Sequence, residues 1–266
     1  MDSLEYELYT RKDRLEKAIS VAEAALRNAP NGSLRVDCGR QKTHYAWAET
    51  PYSRGKYIPS GKEDLIGKLA QKSYAQKFLN EARQELRLIE RFIASMPGHR
   101  ADLVYSKLTP ERQRLVTPYL LDADTYAQNW ESQSFESNPN YPELLKYETR
   151  RGEKVRSKTE LIIADTYFEL GIPYRYECAL HVRNGVVYYP DFTLLDTFHR
   201  RIVFHEHFGL IDDAEYRKKA EKKIQEYERY GIYSCKNLLL TYESATTPFD
   251  SKKFRAKACE LFHKDM

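Results

Sequence analysis

Two acids and one lysine in the last third of the chain have the types and spacing of a site that could hold a divalent cation. Asp191 closes the run Tyr188-Tyr189-Pro190-Asp191, and Glu206 lies within Ile202-Val203-Phe204-His205-Glu206-His207-Phe208-Gly209. Two apolar, β-branched and aromatic stretches flank the polar residues 196–201, which is the pattern of a hairpin. In a symmetric antiparallel hairpin, paired residues have a constant index sum. Leu195 with Ile202 gives 397, and Asp191 with Glu206 gives the same sum. The two carboxylates are therefore expected to face each other. Like charges directly opposite destabilise a sheet, and burial is tolerated if they share a proton or a cation. A hard divalent cation is the economical occupant.

The lysine comes from the helix expected at 213–230. Tyr216, Ala220, Lys223, Tyr227 and Tyr230 recur at helical spacing and form one inward stripe. A lysine within such a stripe needs a buried partner or must snorkel to solvent. Asp191 and Glu206 are the expected partners, with Lys219, one turn earlier, in reserve. Glu160 has two roles open to it, because Ser157-Lys158-Thr159-Glu160 is also a capping box. His205 and His207 alternate with Glu206, so both should point to the other face as structural histidines. His207 joins the site through its side chain only if the strand bends near Gly209.

Behind these residues stands an element order of α-β-β-β-α-β-α. Helices are expected at 157–170, 213–230 and 252–263, and strands at 174–182, 186–195, 202–208 and 237–242, with a type I′ turn at Asn184-Gly185. The arrangement implies an α/β fold with a mixed sheet. Earlier in the chain, helices are expected at 4–28 and 62–95, the second opened by a Ser60–Glu63 capping box and both carrying narrow apolar stripes. They suggest an antiparallel helical arm. Between them, a short hairpin turns at Gly39-Arg40-Gln41-Lys42. Shorter helices follow at 102–108, 110–116 and 123–130. The division expected is a mainly helical accessory region at 1–130, a polar linker at 131–154 and an α/β domain at 155–266.

The chain has 266 residues, with 41% hydrophobic and 31% charged. No apolar run approaches a membrane span and Met1-Asp2-Ser3-Leu4-Glu5 is not a signal peptide. Cys38, Cys178, Cys235 and Cys259 are scattered, without a Cys-x-x-Cys, and read as reduced thiols of a cytoplasmic protein. Residues 1–130 hold 21 Lys and Arg against 17 Asp and Glu, whereas residues 131–266 hold 22 of each. The surplus would suit an accessory part touching phosphates. There is no Walker motif and hence no ATP-driven motor in the chain.

Pro190-Asp191-Phe192, followed fifteen residues after the Asp by Glu206-His207-Phe208-Gly209, resembles the PD-(D/E)XK nuclease superfamily. The resemblance covers about residues 150–245. It implies a restriction-endonuclease-like α-β-β-β-α-β core with a mixed sheet. It also implies hydrolysis of phosphodiesters with Mg²⁺ or Mn²⁺, with DNA the expected polymer and restriction, defence or repair the setting. Asp191, Glu206 and the backbone carbonyl of His207 would be the metal ligands, with Glu160 acting directly or through water. The family's Glu-x-Lys would put a lysine at position 208, where this chain has Phe208, so Lys223 or Lys219 must replace it or the enzyme is dead. Arg156 and Lys158 are expected to grip the nucleic-acid backbone. The rival expectations are an inactive nuclease-fold module that binds nucleic acid or protein, and a scaffold dimerising through its helical arm.

Overall fold

The computed structural model describes residues 3–38, 42–50, 52–234 and 236–264. It divides into two compact units, Met1–Arg100 and Ala101–Met266. The turn expected at 39–42 falls mostly outside the described residues, as does Cys235. Cys38 and Cys178 are free thiols.

The first unit begins with α1 (Ser3–Arg27), then a three-stranded sheet, β1 (Ser33–Cys38), β2 (Thr43–Ala48) and β3 (Lys56–Tyr57), and ends with α2 (Glu63–Ser95). The two helices form the expected antiparallel arm. Leu15, Ala82 and Ile89 make its buried seam, flanked by Leu8, Ile19, Phe78, Leu86 and Ile93. Ion pairs Arg11–Glu85 (2.7 Å), Lys12–Glu90 (3.1 Å) and Arg83–Glu23 (2.7 Å) run along the seam. The narrow stripe leaves the other faces charged and solvated, as helical periodicity requires. The Ser60 capping box does not form. Helix α2 starts later, with Lys62 at its N-cap position and no side-chain cap, while Glu63 accepts a hydrogen bond from the Gly61 amide (3.0 Å).

The second unit opens with short helices α3 (Leu103–Ser106), α4 (Pro110–Gln113) and α5 (Ala123–Ser132). The polar stretch expected as a linker is tied into this unit. It contains β4 (Tyr147–Glu148), which pairs with β5 (Lys154–Val155). The Asn138 amide donates to Glu177 O (3.0 Å), and the Ala179 amide to Glu136 O (2.8 Å). A polar composition marks surface, and these backbone bonds hold the surface segment in place.

Next come α6 (Lys158–Glu169), β6 (Tyr174–Tyr176), the hairpin strands β7 (Leu180–His181) and β8 (Val187–Tyr188), then β9 (Phe192–Asp196) and β10 (Arg201–Phe208). Helix α7 (Ala214–Arg229), β11 (Leu238–Tyr242) and α8 (Ser251–Phe262) complete the chain. The sheet order is β11-β10-β9-β6, with β10 and β11 parallel and the other pairs antiparallel, a mixed sheet as expected.

Two expected strands are each broken in two. The first breaks at Glu177, whose φ is 42°, and the second at Tyr189–Asp191, where Pro190 lacks an amide to donate. Positive φ at Asn184 (64°) and Gly185 (73°) makes the tight β7–β8 turn.

Helices cover both faces of the sheet. Ile163, Tyr167, Phe254 and Phe262 pack with Phe192, Leu194 and Val203 on the side of α6 and α8. Tyr227 of α7 packs with Phe204, Ile232 and Leu238 on the other. Strand β10 is buried from Val203 through Phe208, the signature of a strand covered on both sides.

Candidate active site

The β9–β10 register pairs Leu195 with Ile202 and Phe192 with His205. The ladder stops there, one rung before Asp191 and Glu206. Beyond it, the Asp191 carbonyl accepts from the Glu177 amide (3.0 Å), while its carboxylate Oδ2 accepts from the His207 amide (2.7 Å). Asp191 is thus bonded across β10 beside Glu206. Oδ1 of Asp191 makes no hydrogen bond among the described residues.

Glu206 is 1% exposed, with both oxygens engaged. Lys223 Nζ donates to Oε2 (2.7 Å) and Tyr227 OH to Oε1 (2.5 Å). The stripe on α7 explains this. Asp213 caps the helix by accepting from the Tyr216 amide (2.7 Å), and the stripe from Tyr216 to Tyr230 then lies against the Glu206 face of β10. Lys219 is exposed on the same helix and takes no part. Phe208 shares the Glu206 face but is buried, stacked on Tyr242 at 5.6 Å and edge-on to Tyr216 at 6.4 Å. The ammonium that reaches Glu206 comes from α7.

The charges are coupled. Burial, then the charge of Glu206, pushes the Asp191 carboxyl well above the usual range, with Glu160 adding to the effect and Lys223 opposing it. Burial opposes the charge on Lys223, but Glu206 and Asp191 overcome it and hold its pKa above the ordinary lysine value. Lys223 bonds Glu206 directly and reaches Asp191 only through its charge, which leaves Asp191 the less compensated of the two acids.

Half of the capping box expected at Ser157–Glu160 forms: the Glu160 amide is capped, but its carboxylate turns to Arg156 and Tyr176 and not back to the Ser157 amide. Ser157 Oγ caps α6 by accepting from the Glu160 amide (3.1 Å). The Glu160 carboxylate accepts from Tyr176 OH (2.6 Å) and the Arg156 amide (3.0 Å), while its charge acts on Asp191. Arg156 does not face outward as a backbone grip. Its guanidinium pairs with both Glu177 oxygens (2.8 and 2.9 Å) and donates to the carbonyls of Tyr141 (2.7 Å) and Asn140 (2.6 Å). All of this belongs to the strained turn at Glu177, which holds Asp191 in place. Lys158 is exposed.

No protein family's sequence pattern matches the chain. No solved structure matches it either. An uncharacterized protein of Methanocaldococcus jannaschii, MJ1519, is 37% identical over 86 residues, which is 32% of this chain and 7% of that protein. The match therefore spans far less than two thirds of that relative's length, and its printed name states no activity.

The opposite face of β10 carries a chain of polar groups. Tyr167 OH meets His205 Nδ1 (2.8 Å), and His205 Nε2 meets Thr241 Oγ1 (2.8 Å). Thr241 Oγ1 in turn meets His207 Nδ1 (2.9 Å). His207 Nε2 lies 3.4 Å from Glu243, whose carboxylate accepts from Thr159 Oγ1 (3.0 Å). Burial holds His205 well below the ordinary histidine pKa and His207 below it. Burial thus favours the neutral form of both rings. The strand does not turn the His207 ring toward Glu206.

Tyr227 belonged to the inward stripe, so its contact with Glu206 was accessible to helical spacing. Glu243 was missed: it follows the last strand with no local pattern, and only the fold brings it to His207. Among the described residues, no group of three or more His, Cys, Asp or Glu is gathered tightly enough to hold a metal alone. No helix among them is long and apolar enough to cross a membrane.

Proposed function

We propose that the chain is a metal-dependent nuclease that hydrolyses phosphodiester bonds of DNA, with a restriction-endonuclease-like core in its second unit. One observation carries this reading: Asp191, Glu206 and Lys223 converge at one end of the β9–β10 pair, with the lysine delivered by the helix packed over Glu206.

The donor set fits Mg²⁺ or Mn²⁺. Asp191 has an unused oxygen and a carboxylate that burial and its neighbours leave short of positive charge. Mg²⁺ is commonly held by one or two carboxylates together with waters and substrate phosphate, so a cage of three side chains is not required. Asp191, Glu206 and the His207 carbonyl would hold the ion, with Glu160 reaching it through water. When bound, the ion would lower the pKa of a coordinated water and offset phosphorane charge.

The protein's own residues do the rest. Tyr227 and the His207 amide fix the carboxylates in place, a preorganisation worth having before any substrate arrives. Lys223 directs a cation at the position where phosphate charge grows. Lys158, exposed at the first turn of α6, would meet a substrate phosphate.

A second reading has its own support. Both Glu206 oxygens already have protein partners, which suits a nuclease-fold module that binds nucleic acid without cutting it. A plasmid and oligonucleotide cleavage assay with Mn²⁺ separates the two. Turnover abolished by Asp191→Ala supports the nuclease. Equal cleavage by wild type and Asp191→Ala refutes it, and tight DNA binding without turnover supports the second reading.

A further inference from the structure

A cleft of about 540 Å³ opens along the free edge of β11, bordered by α8 and by the β9–β10 turn. Neither Asp191, Glu206 nor Lys223 lines it. Its volume lies within the ordinary range for small-molecule sites.

The walls divide by chemistry. Val203, Leu238, Leu239, Leu240 and Leu261 supply apolar surface. Strand β11 is the last in its sheet, and an edge strand leaves backbone donors and acceptors unpaired by any neighbouring strand. Arg201, Lys236 and Lys257 bring fixed positive charge against one lining carboxylate, Glu260. Arg201 is already committed: its Nε pairs with Asp196 (3.0 Å) and its Nη1 donates to the Lys236 carbonyl (3.2 Å). Lys236 and Lys257 are exposed and make no ion pair with a carboxylate among the described residues. His199 lines the same cleft, its ring fixed by Asp196 through Nδ1 (2.7 Å).

We infer that this cleft binds a small nucleoside phosphate. The two lysines without carboxylate partners fit the phosphate. The leucine surface fits a flat base better than a polyhydroxylated sugar, whose buried hydroxyls would each need a partner. The Leu238 amide is taken by the Tyr233 carbonyl (3.0 Å), and the rest of the strand edge would supply the groups that read a base. The inference does not rest on the nuclease reading, because the two sites share none of these residues.

Calorimetric titration with AMP, GMP, CMP and UMP in EDTA tests it, with inorganic phosphate and a short single-stranded oligonucleotide as separate arms. Binding of at least one mononucleotide is expected. It should weaken roughly tenfold or more in Lys236→Glu/Lys257→Glu, a loss of about 1.4 kcal/mol, and persist in Asp191→Ala. Both lysines are exposed, so the double variant should fold, and an unchanged circular dichroism melt checks this. Any of several outcomes would overturn the inference. They are no mononucleotide binding at millimolar concentration, unchanged affinity in the double variant, loss of binding in Asp191→Ala, or inorganic phosphate binding as tightly as every mononucleotide. Binding of the oligonucleotide alone would likewise overturn it, by making the cleft a strand path.

Discussion

Lys223 Nζ stands 2.7 Å from Glu206 Oε2, although the two residues belong to different elements and Glu206 is almost wholly buried. Lys223→Met should therefore do two things. It strands a buried carboxylate, which costs about 3–5 kcal/mol when a buried pair loses one partner; partial exposure of the lysine puts the expected loss near the lower figure. It also lowers turnover by roughly 10²–10³-fold, the usual scale for a preorganised charge. Denaturant melts and cleavage rates measure both, and Lys219→Met should change neither.

Asp191 is the acid without a cation of its own. Asp191→Asn keeps an acceptor for the His207 amide and removes the repulsion with Glu206. The variant should be about 1 kcal/mol more stable than wild type in metal-free buffer at neutral pH, as expected for a strained functional position. The midpoint of urea unfolding reads this directly. A less stable variant would mean that the carboxylate is structurally compensated.

Arg156 holds the Glu177 turn and is not available to a substrate. Arg156→Ala leaves Glu177 unpaired in a partly buried setting and should cost about 3 kcal/mol. Lys158→Ala, at an exposed position, should leave stability within about 0.5 kcal/mol of wild type and weaken DNA binding modestly. Melts and a filter-binding titration on the two variants distinguish the roles.

Asp196 governs stability in acid. Burial alone would raise its pKa, but the His199 amide and ring and the Arg201 guanidinium overcome that and lower it. A carboxyl with a depressed folded pKa contributes stability above its unfolded value, about 3.9, and loses it as pH falls through the folded value. Asp196→Asn should therefore lose about 2 kcal/mol at pH 7, and the gap to wild type should narrow as pH falls below the unfolded value, about 3.9. A gap independent of pH would contradict this origin.

The register of the β9–β10 hairpin and the inward stripe of α7 were legible because both are local periodicities. Index sums placed Asp191 beside Glu206, and helical spacing chose Lys223 over Lys219. The same reasoning misjudged Arg156, since nothing local indicates that Glu177 would fold back with positive φ to meet it. It also read 131–154 as a linker, because backbone bonds from Asn138 and Ala179 to distant carbonyls leave no trace in composition. Glu243 came into view only with the parallel pairing of β10 and β11, a contact between segments separated by a whole helix.

The central claim is that the site binds one divalent ion between Asp191 and Glu206, beside Lys223. Anomalous scattering from a crystal soaked in Mn²⁺ tests it most directly. The expected result is a single strong peak bonded to Asp191 Oδ1 and a Glu206 oxygen, with Tyr227 or Lys223 shifted to admit it, and no peak in Asp191→Ala crystals. Soaked wild-type crystals with no peak there and an unbroken Lys223–Glu206 pair would contradict the claim.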